Sequence, residues 1–393
     1  MLKDFYKLNK TTDKKQSSST HKSQYFGTVE NFNLNISEIE NAKKYFLKEE
    51  DNKIIDDICL TLEKKNRLPF SWTHQENFYL NNCENFKSKI EYLVYRYKFK
   101  VYPEKKYLSN FPTHVLLEPA SICNLRCVMC YQMDNKFTGD DIKKNSNKEM
   151  MGKMNLKLFK KVIDECSKEG AGAISLGSRG EPMINSEFID MVNYLRDKKF
   201  YDIKINSNGS AITEKISHAI LQSNINILVI SCDANDPDLY SKIRRGGNFK
   251  RLLKNIDLIN RIRKSDYKNS KLEIRISGVY FHPDQNENDF YNFWKDKVDT
   301  VSYVKVQNRW DTYNNPKVIE KNNPCDFLWE KLYVWWDGTT NPCDEDYLSL
   351  LSPGNVKNNS IKNIWNSKKF NDLRELHLNN NRINKKPCDR CNV

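Results

Sequence analysis

From about residue 113 the chain alternates short β-rich runs with amphipathic helical stretches, and this alternation limits its fold more than any other feature. Strands are predicted at 115–117, 173–176, 202–205, 227–231, 272–279 and 301–306, and helices at 156–168, 186–199, 213–223, 248–264 and 287–297. In the first helix Leu156, Phe159, Val162, Ile163 and Cys166 recur at helical spacing. Asn185-Ser186 offers the second an N-cap. Strands separated by helices run parallel and are joined by right-handed crossovers. Such a sheet can stay open or curl into a barrel, but six units are too few for a complete eightfold one.

The flanks read differently. Residues 1 to about 25 are polar, include Gln16-Ser17-Ser18-Ser19-Thr20, and are predicted to be disordered. Between 36 and 108, Ile36, Ile39, Ala42, Tyr45 and Phe46 form one apolar stripe, and Ile54, Ile55, Ile58, Leu60 and Leu62 a less regular one. Residues 1–110 are therefore predicted to be a partly disordered, helical extension, and 111–310 the α/β unit. From 311 the alternation stops. The run 333–340 reads as a hairpin turning at Asp337-Gly338, and a helix is predicted at 360–378, so 311–393 forms a small C-terminal domain.

Composition narrows the function. The net charge is +13, but Lys and Arg are spread along the chain among Asp and Glu, whereas nucleic-acid binding needs them gathered on one face. Nucleic acid is not expected; an anionic small substrate suits a basic cleft. No apolar run is long enough to cross a bilayer, and the first residues lack the apolar core of a signal peptide, which predicts a cytoplasmic protein. In that compartment the eleven cysteines read as metal or redox sites. Cys59, Cys83, Cys166 and Cys232 stand alone, the last two as core residues.

The other seven fall into two groups. Cys123, Cys127 and Cys130 have the spacing Cys-x3-Cys-x2-Cys and follow the first strand directly, at the end of an α/β array where ligands bind. Three thiolates can hold three irons of a cubane and leave the fourth open. The competing reading is a zinc knuckle completed by a distant residue, with His114 nearest. Cys325, Cys343, Cys388 and Cys391 form Cys-x17-Cys-x44-Cys-x2-Cys, and on spacing alone zinc and iron–sulfur are equally served.

The loop Cys123-Asn124-Leu125-Arg126-Cys127-Val128-Met129-Cys130 resembles the signature of the radical S-adenosylmethionine (radical SAM) superfamily, Cys-x3-Cys-x-Φ-Cys, with Met129 at Φ. The resemblance spans about 111–310. It implies a partial (β/α)6 barrel and a [4Fe-4S] cluster whose open iron is chelated by S-adenosylmethionine, which is cleaved to a 5'-deoxyadenosyl radical. Gly177-Ser178-Arg179-Gly180-Glu181-Pro182 is similar to the family's Gly-Gly-Glu-Pro segment, which contacts the cofactor's amino group; Arg179 departs from it, leaving Gly180, Glu181 and Pro182 as the matching positions. Asn206-Ser207-Asn208-Gly209 resembles the ribose-contacting turn, and Ser231-Cys232-Asp233-Ala234 the Ser-Φ-Asp segment that meets the methionyl carboxylate. Arg244 or Arg275 could pair with that carboxylate.

The C-terminal region resembles the SPASM and shortened "twitch" domains through Trp336-Asp337-Gly338, Asn341-Pro342-Cys343-Asp344, Gly354-Asn355-Val356, Ile364-Trp365 and Cys388-Asp389-Arg390-Cys391. The resemblance turns the second group toward iron–sulfur: four cysteines for one auxiliary [4Fe-4S] cluster with no open iron. Their spacing resembles that of a radical dehydrogenase acting on the aminocyclitol 2-deoxy-scyllo-inosamine. This implies oxidation of a hydroxyl on a sugar or cyclitol, with flavodoxin or ferredoxin as electron donor. By that analogy Arg309 is the candidate base, with Asp344 and His282 behind it and a phosphate-binding or surface role as the alternative for Arg309. A peptide-modifying maturase or epimerase is the second enzymatic reading, and an iron–sulfur or zinc assembly protein the non-enzymatic one.

Overall fold

The computed structural model describes residues 21–22, 28–29, 35–305 and 311–391, except 47, 66, 82, 84, 143 and 321. Most of the segment predicted to be disordered, and Arg309, lie outside the described residues.

Six strands stand side by side in chain order, each parallel to the next: β1 (His114–Leu117), β2 (Ala173–Leu176), β3 (Asp202–Ser207), β4 (Ile227–Ser231), β5 (Glu273–Tyr280) and β6 (Thr300–Lys305). This is the predicted α/β architecture. The sheet curls: the cations nearest in charge to Lys204 on β3 include Arg275, two strands away, and Lys331, three strands away on the other side. The product is a partial barrel. Isoleucines 203 and 205 of β3 and 274 and 276 of β5 are fully buried, while the residues alternating with them are polar and half-buried. Period-two alternation thus separates a dry outer face, under the helices, from a polar inner one.

The outer layer holds the predicted helices. In the described extension lie α1 (Glu49–Lys65) and α2 (Phe86–Lys105). The barrel carries α3 (Leu156–Glu169), α4 (Phe188–Leu195), α5 (Glu214–Gln222), α6 (Pro237–Ile243), α7 (Phe249–Asp266) and α8 (Glu287–Trp294). Asn155 caps α3 through the Leu158 N–H, and the helix buries Leu158, Phe159, Val162, Ile163 and Cys166. Cys232 is equally buried. The prediction lacks α6, a short helix that Asp236 caps and Pro237 opens, too brief to show a period.

The extension closes one end of the barrel. On α2, Tyr95 donates to Asp202 Oδ2 at 2.7 Å, and Arg96 donates to Oδ1 at 2.9 Å. Asp202 opens β3, so α2 covers the N-terminal ends of the strands. A Cβ on Gly172 would lie 2.0 Å from the Tyr95 ring, which is why this contact needs glycine. Ile54, Ile55 and Ile58 are buried as predicted, but Leu60 is 49% exposed and Tyr45 41%.

The C-terminal region continues the barrel's sheet. β7 (Lys331–Val334) runs parallel to β1, Lys331 opposite His114, and β8 (Thr339–Asn341) and β9 (Gly354–Asn355) follow antiparallel. The predicted hairpin is β7–β8. Its turn has Gly338 at φ +86° donating N–H to the Trp335 carbonyl at 2.9 Å. The predicted helix 360–378 is two, α9 (Ile361–Trp365) and α10 (Lys368–Leu378), because Ser367 leaves the helix and caps α10 through the Phe370 N–H. No described helix is long and apolar enough to cross a membrane.

Candidate active site and auxiliary centre

The first cysteine loop leaves β1 at the end of the barrel opposite α2. Its middle, Arg126–Cys127, pairs antiparallel with Arg244–Arg245, Cys127 opposite Arg244. Arg126 holds the loop closed, donating to the carbonyls of Cys123 at 2.8 Å, Leu125 at 2.7 Å and Ile142 at 2.7 Å. Three N–H groups face the sulfurs. Leu125 N lies 3.4 Å from Cys123 Sγ, Asn208 Nδ2 3.9 Å from the same atom, and an Arg244 terminal nitrogen 3.8 Å from Cys127 Sγ. Burial pushes both thiols up, and Arg244 pulls Cys127 back. Half-buried thiols on one loop, met by N–H donors, suit iron–sulfur ligation, which takes thiolates. Met129 packs half-buried against the barrel core.

The segment after β2 sits against this loop. Gly180 has no room for a side chain, since a Cβ would lie 2.4 Å from the carbonyl oxygens of Ala120 and Ile122. Arg179, which departs from the family pattern, points inward. It forms a two-point pair with Glu118, 2.7 Å on each arm, and donates to the Tyr347 carbonyl at 2.8 Å, with its guanidinium 4.0 Å from the Trp335 ring centre. Glu118 is therefore the partner that accommodates arginine here, and the pair ties this loop to the C-terminal region. Glu181 is buried and accepts from Ser207 Oγ at 2.8 Å, Asn208 N at 2.7 Å and Met183 N at 3.1 Å; its carboxyl is raised by burial against those bonds. Pro182 opens a buried 3-10 turn. Asn208 also donates to Asn124 at 2.9 Å. The side chains of Glu181, Ser207 and Asn208 thus lock the loops after β2 and β3 onto the cysteine loop.

Asp233 accepts the Val279 N–H at 2.9 Å and pairs with Arg244 at 2.8 Å, joining β4 to β5 and to the cysteine loop. Ser231 ends β4 opposite Ser277. Arg275 pairs with Glu273 at 2.8 Å on the inner face. The structure thus brings Arg244 to the sulfurs and keeps Arg275 with its strand neighbour. His282 lies in the loop beyond β5, its Nδ1 accepting the Asp284 N–H at 3.2 Å. Asp344 accepts the Tyr333 hydroxyl at 3.1 Å beside Cys343.

One inner-face residue escaped the sequence reading. Lys204, in mid-β3, has no hydrogen bond or ion pair within reach among the described residues. Burial, then Lys331 and Arg275, push its ammonium down to about 8. The signal was present: Asp202-Ile203-Lys204-Ile205-Asn206 alternates, whereas a strand buried on both faces reads as an apolar run.

The second group lines one cavity. Cys325, Cys343, Cys388 and Cys391 share it with Phe327, Leu328, Pro342, Leu351 and Pro387, and with Glu345, His377 and Arg382. Burial, then Cys388, Asp346 and the other two thiols raise Cys343, and burial with Cys325 and Cys391 raises Cys388. Arg382 braces the C-terminal pair, donating to the carbonyls of Cys388 and Cys391, both at 3.2 Å. Four thiols in one largely apolar cavity fit a fully ligated cluster.

Residues 117–295 match the radical SAM superfamily model, and residues 325–392 match SPASM, the iron–sulfur cluster-binding domain. The chain thus carries a radical SAM domain followed by a SPASM domain, the parts of a radical SAM enzyme that uses [4Fe-4S] clusters and S-adenosylmethionine. A protein named probable GTP 3',8-cyclase from Methanococcus maripaludis is 26% identical over 135 residues, 34% of this chain but only 41% of the cyclase. The tungsten-containing aldehyde ferredoxin oxidoreductase cofactor-modifying protein of Pyrococcus furiosus is 23% identical over 313 residues, 68% of this chain and 84% of that one. SuiB of Streptococcus suis, solved bound to S-adenosylmethionine, shares the fold with a TM-score of 0.55 at 14% identity, covering 88% of this chain and 94% of SuiB.

Proposed function

We propose that the chain is an oxidoreductase that dehydrogenates a hydroxyl-bearing carbon of a sugar or cyclitol-type small molecule. Cys123, Cys127 and Cys130 would hold the cluster that binds S-adenosylmethionine, and Cys325, Cys343, Cys388 and Cys391 the auxiliary one. When bound, these groups supply a hydrogen-abstracting 5'-deoxyadenosyl radical and a sink for one further electron. The residues of the chain supply the rest. Gly180 lets the segment after β2 lie flat against the cysteine loop, and Arg244 and Asp233 hold that loop to the β4 end. The hydroxyl proton needs an acceptor within reach. Lys204, held near 8, suits that task on the inner face, alongside the candidates Arg309, Asp344 and His282. Loss of one hydrogen atom, one proton and one electron leaves a ketone.

The observation that carries this reading is the polar inner face of β3 and β5, where Lys204, Glu273, Arg275 and Ser277 alternate with buried isoleucines. Such a lining suits a compact hydroxylated or anionic molecule. Reducing conditions for the clusters fit the cytoplasm, with flavodoxin or ferredoxin as donor. The test is deuterium transfer. Anaerobic enzyme with reductant, S-adenosylmethionine and sugars or cyclitols deuterated at the carbinol carbon should give labelled 5'-deoxyadenosine and one ketone per turnover. Label arriving only from a deuterated peptide would establish the maturase reading instead, and no 5'-deoxyadenosine under any condition would leave the assembly-protein reading.

A further inference from the structure

α10 ends beside the four-cysteine cavity, and His377 in its last turn lines that cavity. The ring is 1% exposed. Its Nδ1 accepts the backbone N–H of Cys325 at 3.2 Å. A ring nitrogen that accepts a fixed N–H carries no proton, so the neutral ring bears its hydrogen on Nε2. That Nε2 is buried and has no hydrogen-bond partner among the described residues. Leaving a buried donor unpaired is costly. Apart from the thiols, the cavity wall is mostly apolar, with Glu345 and Arg382 its other polar members, and Arg382 already donates to the carbonyls of Cys388 and Cys391. The acceptors a group held by these four thiolates would bring to Nε2 are sulfur atoms.

We propose that His377 donates its Nε2 hydrogen to a sulfur of the auxiliary cluster and thereby raises that cluster's reduction potential. This rests on the reading of Cys325, Cys343, Cys388 and Cys391 as its ligands. An N–H aimed at sulfur stabilises the reduced, more negative state over the oxidised one, so the donor makes the cluster a better electron acceptor. His377 is in this sense a positioning and tuning residue, acting on the acceptor of the second electron without touching substrate. Its Nδ1 contact does a second job by fixing the backbone of Cys325, so one ring sets both where a ligand sits and how readily the centre takes an electron.

The experiment is an anaerobic redox titration of the full, reconstituted chain, followed by electron paramagnetic resonance of each cluster, for wild type, His377→Phe and His377→Gln. His377→Phe should make the auxiliary cluster about tenfold harder to reduce, which is about 59 mV for a one-electron couple, and leave the barrel cluster unmoved. His377→Gln, which keeps an N–H donor, should recover most of the shift. Equal auxiliary potentials in all three proteins at full iron content would overturn the proposal. Wild-type enzyme with 15N-labelled histidine gives a readout that needs no variant to fold. A weak 15N coupling to the reduced auxiliary cluster is expected; none, or the strong coupling of direct iron ligation, would overturn it. Failure of the ligand reading shows separately: Cys343→Ala would then keep the auxiliary signal.

Discussion

The cysteines of the barrel share one short loop, whereas those of the C-terminal region come together from distant turns, and the surroundings differ as much as the connectivity. Around Cys123 and Cys127 the neighbours are N–H groups and a cation, from Leu125, Asn208 and Arg244. Around Cys343 and Cys388 they are Phe327, Leu328, Pro342, Leu351 and Pro387, with polar contact limited to Glu345, His377 and Arg382. The first site has three half-buried thiols on the loop that leaves β1, and the second has four half-buried thiols lining one apolar cavity. A centre that must admit a small molecule keeps a ligand position and an approach open; one that only exchanges electrons gains from being sealed.

The largest effect should come from removing one thiol from each site. Cys127→Ala is expected to abolish 5'-deoxyadenosine formation altogether and to lower bound iron by about half, the share of one of two equal clusters. Cys343→Ala should lower iron similarly yet still release 5'-deoxyadenosine, while substrate oxidation disappears. Chromatography of the nucleoside beside iron and sulfide assays reads both. If Cys343→Ala stopped cofactor cleavage as completely as Cys127→Ala, the division of labour between the centres would be wrong.

Next is the pair that joins them. Arg179 and Glu118 are 3% and 0% exposed, and Arg179 also holds the Tyr347 carbonyl. Arg179→Met leaves Glu118 charged and unpaired in the interior, which costs about 3–5 kcal/mol. The double variant Glu118→Met/Arg179→Met removes both charges and should recover a large part of that loss. Thermal unfolding of the anaerobic holoprotein measures both. A single variant as stable as wild type would mean that the pair does not hold the two regions together.

Much of the barrel was legible in the sequence because its signals are local. Strand runs, helical stripes and the Asn155 cap need no knowledge of distant residues. The cysteine loop was legible for the same reason. The second centre was legible as a spacing and a resemblance but not as a cavity, since its walls come from Arg382, His377 and apolar residues of elements far apart in the chain. The break at Ser367 was hidden because a serine between apolar positions reads alike as helix surface and as a cap. Glu118 could not be matched to Arg179 beforehand: a carboxylate just after a strand has no visible partner until β2 lies beside β1. Lys204 was visible as alternation, but its isolation is a property of the curled sheet.

The smallest expected effect concerns the floor of the barrel site, where charged side chains rather than the apolar ones of the auxiliary cavity surround a buried ring. His114 is 7% exposed, and its Nε2 lies 2.8 Å from Ser175 Oγ. Burial lowers its pKa to about 4; the Glu330 carboxylate, 3.8 Å from Nδ1, works against this, and the charges of Lys331 and Lys204 add to it. In the unfolded chain the same ring titrates near 6.5. Between these values the unfolded state binds a proton that the folded state refuses, so stability rises with pH across the window and is lost as pH falls through 6.5 toward 4. From pH 7.5 to 5.5, a range chosen to spare the clusters, the loss from this ring is about 1.4 kcal/mol. His114→Asn keeps a polar group facing Ser175 but cannot titrate, so its unfolding free energy should fall less steeply over that range, by about that amount. Denaturant melts of both proteins at the two pH values decide it, and parallel slopes would mean that His114 titrates in the folded barrel as it does in the unfolded chain.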